Sequence, residues 1–238
     1  MLKVVSNKLK EASLPSDVQL QLTSVEEDIF GLIREASQRM PKRPTARVAG
    51  GWVRDKLLGK PSKDIDVTVD NMKGVEFGEL LRQYAIAKWG PSQNVVSRVQ
   101  DTEARPDQIK NLAVAFLRIY GQDVEILNLR GNEVYEEGSR NPVSVSEATP
   151  EQDAFRRDLT INSLFYNINT GRIEDFTGRG YDDLATLTLR TPLEPFKTFT
   201  DDPLRALRVL RFYSRYPGSK IAPEVVEALK NPDVQFQI

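Results

Sequence analysis

The chain contains no cysteine and no histidine. The first absence rules out disulfides, thiol nucleophiles and zinc sites built on thiolates. The second removes imidazole altogether: no His-dependent triad, imidazole base or His-ligated metal can be assembled from these 238 residues. Charge of one sign is lacking too. The 33 basic residues are matched by 34 acidic ones, so no global field gathers nucleic acid and any RNA contact has to be local. No apolar run approaches the length of a membrane span, and the apolar stretch at the start is too short for a secretory signal. An intracellular chain without a membrane segment is expected, its compartment left open. Metal-assisted phosphoryl transfer survives these exclusions, because the cation itself lowers the pKa of an oxygen it holds.

What is present is concentrated between Arg47 and Asp70, RVAGGWVRDKLLGKPSKDIDVTVD. Val48 and Ala49 suit a short strand, and Gly50-Gly51 allow the backbone to turn sharply and approach a ligand closely. A helix is expected from Trp52 to Leu58, stopped by Gly59. In the strand that follows, Ile65, Val67 and Val69 share one face while Asp64, Asp66 and Thr68 share the other. Period two therefore aims both carboxylates into the same space, about 7 Å apart at Cα. Like charges so placed cost energy unless a cation lies between them. Magnesium (Mg2+) suits the pair, since it prefers oxygen ligands and accepts further oxygens from phosphates. An acidic strand face in water is the ordinary fate of D-x-D alone; the upstream GG-x-x-RD is what tips the reading toward nucleotidyl transfer.

Other elements frame this unit. Ser24-Val25-Glu26-Glu27 fits a capping box for a helix with Ile29, Phe30, Ile33, Ala36 and Met40 at helical spacing. A second helix is expected over 74–88, burying Phe77, Leu80, Leu81, Tyr84 and Ala85. The polar stretch 95–110 reads as a surface connection. Segments 111–119 and 124–129 suit a hairpin turned at Gly121-Gln122. Glu125 stands out inside the second of these as an acid that is either a solvent-facing edge residue or a third carboxylate beside the D-x-D strand. Residues 131–152 turn polar and form a connection longer than usual. Beyond it, Arg156 and Arg157 suit a triphosphate, because guanidinium forks bind phosphate oxygens bidentately. Asn162 would share a helical side with Asp158. After Asp202-Pro203 a helix start is expected, and Arg205, Arg208, Arg211 and Arg215 then fall within an arc of roughly 120°.

These segments together carry a resemblance. GGWVRDKLLG…DID resembles the signature of class II tRNA nucleotidyltransferases (CCA-adding enzymes) and bacterial poly(A) polymerases, within the DNA polymerase β superfamily. DAFRRDLTINSLFYN (Asp153–Asn167) resembles the segment that contacts ribose and nucleotide, and TFTDDPLRALRVLRFYSRY (Thr198–Tyr216) the segment that reads the incoming base. IEDFTGRGYDDL and LRTPLEPFKTF are closest in style to eukaryotic, especially fungal, CCA-adding enzymes. The fold so implied is α/β: a polymerase-β-like nucleotidyltransferase head over 22–196, a small mixed or antiparallel sheet backed by helices, followed by a helical neck over 197–238, with a flexible arm over 1–21.

The implied activity is template-independent addition of C, C and A from CTP and ATP to the tRNA 3′ end, releasing pyrophosphate. On that resemblance Asp64 and Asp66 hold Mg2+, with Glu125 as a third catalytic carboxylate. Gly50, Gly51, Arg54 and Asp55 shape the triphosphate pocket, Arg157, Asp158 and Asn162 contact the nucleotide, and Asp202, Arg205 and Arg208 line the base-reading helix. Alternatives stay open: a CC-only or A-only enzyme, a poly(A) polymerase of the same family, or a nucleotide-binding subunit with dead chemistry. Family members generally continue into helical regions that grip tRNA, so a further tRNA-binding region or partner chain is expected to complete this one.

Overall fold

The computed structural model describes residues 20–62, 64–93, 95–102, 114–131, 134–135, 142–144 and 148–237. The expected N-terminal arm up to residue 19, residues 103–110 of the 95–110 connection, residues 111–113 and much of the polar 131–152 stretch lie outside them.

Helix α1 spans Ser24–Arg39, and its cap lies one residue earlier than the sequence pattern suggested. Thr23, not Ser24, is the N-cap: its hydroxyl accepts from Glu26 N, and Glu26 reaches back to Thr23 N at 2.7 Å. Glu26 wins the role because its other oxygen accepts from the buried Trp52 indole at 3.0 Å, fixing the carboxylate at this end of the helix. Strand β1 (Ala46–Ala49) leads through Gly50 into α2 (Gly51–Leu57) and then β2 (Ile65–Val69). Helix α3 covers Gly74–Trp89, and its buried residues include Phe77, Leu81 and Ala85.

Strands β3 (Gln100–Thr102), β4 (Val114–Ile119) and β5 (Gln122–Asn128) follow. The β4–β5 hairpin turns at Tyr120-Gly121 rather than one residue later, with φ of 49° and 80°. Two positive φ values give the turn a twist that matches the flanking strands. After the short hairpin of β6 (Val134–Tyr135) and β7 (Pro142–Ser144), helix α4 (Pro150–Phe155) and a 3-10 turn (Thr160–Asn162) precede β8 (Phe165–Asn167) and β9 (Arg172–Glu174).

The main sheet has seven strands in the order β3-β4-β5-β2-β1-β8-β9, with β2 and β5 parallel and every other neighbouring pair antiparallel. It is therefore mixed, as the sequence implied. One face carries Val48, Val67, Ile126 and Leu117 into a core closed by Ile29, Phe30 and Ile33 of α1 and Phe77 and Leu81 of α3. Each such side chain, fully buried, contributes about 1.5–3 kcal/mol. The opposite face is left for the carboxylates.

The remaining chain is helical: α5 (Gly180–Ala185), α6 (Pro195–Asp201), α7 (Leu204–Arg215), α8 (Pro223–Lys230) and α9 (Pro232–Gln237). Strand β10 (Thr188–Leu189) pairs in parallel with β11 (Lys220–Ile221). The expected division between 196 and 197 falls inside α6, and the β10–β11 ladder joins chain on both sides of it. Phe199, Val209, Phe212 and Val225 belong to the same core as Ile29 and Val67.

Candidate active site

Strand pairing sets the acidic face. Asp66 on β2 lies in register with Glu125 on β5, Glu125 with Phe116 on β4, and Phe116 with Gln100 on β3. Register partners share a sheet face, so Asp66 and Glu125 stand side by side, and Asp64, two residues before Asp66, follows the same alternation. Asp66 is half-buried and Asp64 exposed. Burial, reinforced by Asp64, pushes the Asp66 carboxyl above its ordinary value against the opposing pull of Arg157 and Arg130. Among the described residues, no three acidic side chains are gathered tightly enough to hold a metal unaided. An all-oxygen donor set of two adjacent carboxylates with a third in register fits a hard cation that draws its other ligands from phosphate and water.

Gly50 forms the wall beside these acids. Its φ of +72° is one that L side chains rarely adopt, and its N–H donates to Leu164 O at 3.0 Å. A Cβ here would lie 2.8 Å from Arg157 Nη1. The glycine is therefore what lets Arg157 lie against the turn. Gly51 differs: a Cβ there would meet only Arg54, at an ordinary 3.5 Å.

Arg157 is oriented from three sides. Its Nε and Nη2 donate to Asp153 Oδ2 at 3.3 and 2.6 Å, its Nη1 donates to Asn162 O at 3.3 Å, and its guanidinium lies 5.0 Å from the Phe165 ring centroid. Asp153 is fully buried and takes Arg156 as well, at 2.8 and 2.5 Å. Burial alone would raise its carboxyl; the guanidinium groups of Arg157 and Arg156 overcome that and hold it below its ordinary value. Sequence reasoning quoted Asp153 without giving it a role. The signal was available in its i+3 and i+4 spacing to the two arginines.

The structure brings five of the other expected residues, Arg54, Asp55, Asp158, Asn162 and Arg208, into one relay. Arg54, buried, forks onto Asp55 at 2.9 Å through both Nε and Nη2, and its Nη1 donates to Asn162 Oδ1. Asn162 Nδ2 donates to Asp158 Oδ1 at 3.0 Å, and Asp158 Oδ2 accepts from Arg208 Nε at 2.7 Å. Asp158 and Asn162 meet although no α-helix joins them: α4 ends at Phe155 and the 3-10 turn closes the gap. The expectation of a shared helical side is thus replaced by a turn that produces the same contact. Tyr216, which the sequence did not single out, donates to Asp55 Oδ1 at 3.1 Å, and Arg54 stacks over Phe212 and Tyr216 at 5.1 and 5.8 Å. At the start of α7, Asp202 accepts from Leu204 N at 3.1 Å and pairs with Arg205 at 3.5 Å. Arg211 and Arg215 are exposed.

The Poly A polymerase head domain model matches residues 46–190, more than half of the chain and the whole span from β1 to the strand before α6. The chain belongs to the poly A polymerase head-domain family. Relatives of this head domain include the mitochondrial CCA tRNA nucleotidyltransferase of Saccharomyces cerevisiae, 42% identical over 91% of this chain and 40% of that protein. The tRNA nucleotidyltransferase cca1 of Schizosaccharomyces pombe is 43% identical over 95% of this chain and 45% of its own length. This chain thus spans less than half of either relative. A solved CCA-adding enzyme in complex with CTP superposes with a TM-score of 0.63 at 26% identity, covering 88% of this chain and 42% of that one. Among the described residues, no helix is long and apolar enough to cross a membrane.

The buried Asp153 gives this head domain a stability test. Asp153→Asn leaves two guanidinium groups without their carboxylate, and breaking such a buried pair costs about 3 kcal/mol, or roughly 6–12 °C in Tm for a chain of this size. Because the Asp153 carboxyl lies below its ordinary value, the stability it supplies is complete above its unfolded pKa. That stability is lost as pH falls through the folded value. Thermal melts across an acid series should show the wild-type advantage over Asp153→Asn shrinking with acidification; an equal Tm at neutral pH would refute the role.

Proposed function

We propose that this chain is the catalytic head of a tRNA nucleotidyltransferase that adds C, C and A from CTP and ATP to the tRNA 3′ end. The observation that carries the reading is the register of Asp66 against Glu125 with Arg157 held at the Gly50 turn beside them. The names of the fungal relatives support the choice of substrate. Poly(A) polymerase I of Salmonella typhi, by contrast, is 28% identical over 77% of the chain.

In this mechanism the terminal ribose hydroxyl attacks the α-phosphorus, a new P–O bond forms, and the bond to pyrophosphate breaks. Asp64 and Asp66 would hold magnesium, which would supply charge neutralisation and lower the pKa of the attacking hydroxyl. Glu125 shares the same sheet face and would offer a third carboxylate oxygen to that charge. Arg157 offers its guanidinium to the triphosphate, its angle set by Asp153 and by stacking on Phe165. The turn at Gly50-Gly51 leaves room for phosphate to approach the backbone. Arg54 and Asp55 act as a strut, tying the turn to α7. Asp158 and Asn162 form the ribose-side wall, and Arg208 holds that wall to the helix.

Asp202 and Arg205 read the base edge, because a site built to satisfy specific donors and acceptors rejects a base that leaves them unpaired. Arg205→Ala is expected to lower discrimination of CTP and ATP over GTP and UTP by about 10- to 100-fold, measured as kcat/KM for each nucleotide. Unchanged selectivity would remove that role.

The test of the reading is incorporation of labelled CTP and ATP, separately and together, into tRNA transcripts lacking all three terminal nucleotides, lacking only the last, and complete. Ordered addition that stops at CCA supports it. Processive addition of A alone would instead indicate poly(A) synthesis, and magnesium-dependent nucleotide binding without turnover on any RNA would indicate a head that needs a further region or partner chain.

A further inference from the structure

Arg208 and Arg54 hold the side chains of Asp158 and Asn162. A second set of contacts, which no step of the mechanism uses, holds the backbone between those two residues. Thr160, the first residue of the 3-10 turn, is buried. Its hydroxyl donates to Asp183 Oδ2 of α5 at 2.7 Å, and its N–H donates to Arg190 O at 2.8 Å. Its carbonyl oxygen lies against Gly180, where a Cβ would come to 2.7 Å from it and 3.0 Å from Leu164 Cδ2. All three polar groups of one buried residue are therefore met by the chain between Gly180 and Arg190.

That chain is itself anchored. Asp175 Oδ2 accepts from Tyr181 N at 3.1 Å, and Thr177 Oγ1 accepts from Gly180 N at 3.1 Å. These contacts satisfy N–H groups at the first turn of α5 that have no partner within the helix. Asp183 also pairs with Arg190 Nε at 3.2 Å, and Arg190 pairs in turn with Glu224 of α8. The segment IEDFTGRGYDDL thus forms a brace, with Asp183 and Gly180 as its two points of contact on Thr160.

What the brace controls follows from the acceptors at Asp158. A carboxylate offers about four acceptor positions. Leu159 N, Asn162 Nδ2 and Arg208 Nε take three of them. One is left for a ribose hydroxyl, and a site built to hydrogen-bond a hydroxyl rejects the analogue that lacks it. Such rejection requires the carboxylate to stay in place, and Thr160 is two residues along the chain from it.

We propose that Asp183 and Gly180 are positioning residues for sugar selection. Acting through Thr160, they fix the turn between Asp158 and Asn162 so that a ribonucleotide is preferred over its 2′-deoxy counterpart. The assignment rests on the functional reading above in one respect, that Asp158 and Asn162 face the sugar.

Thr160→Val keeps the shape of the buried side chain and removes the hydroxyl that Asp183 receives. It is expected to lower the preference for CTP over dCTP about ten-fold or more, measured as a ratio of kcat/KM values on a tRNA transcript lacking its three terminal nucleotides. A loss of folded protein cancels in that ratio. Thr160→Ser, which keeps the hydroxyl, should restore the wild-type value, and Gly180→Ala, which pushes on the Thr160 carbonyl, should lower it. The preference for CTP over GTP should not move in Thr160→Val, since Asp202 and Arg205 make none of these contacts. An unchanged CTP to dCTP ratio in Thr160→Val would overturn the proposal, as would an equal fall in both preferences, the mark of a general loosening. Calorimetry with calcium and no RNA gives the same comparison as a ratio of Kd values for CTP and dCTP. A chain that adds nothing to tRNA, yet loses its preference for binding CTP in Thr160→Val, would count against the activity and in favour of the brace. A chain that completes CCA while Thr160→Val keeps its sugar preference would do the reverse.

Discussion

Replacing Asp64 and Asp66 together by alanine is expected to abolish the proposed nucleotide addition, by about a thousand-fold or more, and to leave the fold at least as stable as before. The first part follows from the several kcal/mol of charge stabilisation a bound cation provides, at about 1.4 kcal/mol per factor of ten. The second follows from the environment of Asp66, whose carboxyl is pushed up by burial and by Asp64. A raised carboxyl contributes stability at low pH and loses it as pH rises through the folded value, so at neutral pH the charge works against folding. Asp66→Asn should therefore match or exceed the wild-type Tm in the absence of divalent metal. Magnesium should raise the wild-type Tm by linkage and leave the variant unmoved. An active double variant, or one whose melting collapses, would sink the assignment of these carboxylates to the metal.

The second large effect separates the two adjacent glycines. Gly50→Ala forces a side chain into a left-handed backbone position and brings a Cβ to 2.8 Å from Arg157 Nη1. Either the turn or the guanidinium has to move, and a misplacement of about 1 Å near a reacting group costs roughly 100-fold in rate. A fall in Tm should accompany it, because strain of this kind costs of order 1–3 kcal/mol. Gly51→Ala meets nothing closer than Arg54 at 3.5 Å, so its Tm should stay within a degree or two of wild type. Only a ligand could object to that methyl group. Weaker CTP binding by Gly51→Ala at unchanged Tm, measured by calorimetry with calcium, would place triphosphate against this turn; unchanged binding would move the phosphates elsewhere.

Much of this arrangement was legible because it obeys short-range periodicity. The alternation of Ile65, Val67 and Val69 with Asp64 and Asp66 fixes which residues face the core, and the apolar stripes of α1 and α3 supply what covers it. What the sequence could not give were contacts that depend on register between distant strands or on turns. Asp66 beside Glu125 requires the parallel pairing of β2 with β5, which no local pattern encodes and which only the family resemblance pointed to. Asp158 and Asn162 were read as helix neighbours, whereas a 3-10 turn brings them together. Tyr216, the C-cap of α7, carries no role in the sequence pattern, and only the packed structure brings its hydroxyl to Asp55. The capping box and the β4–β5 turn were each displaced by one residue for a similar reason. In both, a tertiary or backbone demand, Trp52 on Glu26 and the twist of the hairpin, chose between adjacent candidates.

The chain of contacts from Tyr216 through Asp55, Arg54, Asn162 and Asp158 to Arg208 starts at the C-cap of α7, returns to α7 and passes through two other segments in between. For protein engineering this means that α7 is not an exchangeable cassette. A base-reading helix grafted from a relative would arrive with its own partners for the strut and the wall. Unless the residues at 55, 158 and 162 travelled with it, the graft would leave buried guanidinium and carboxylate groups facing each other in mismatched pairs. On the proposed function, altered nucleotide choice is better sought at Asp202 and Arg205, which lie outside that loop of contacts and can change without unlatching it.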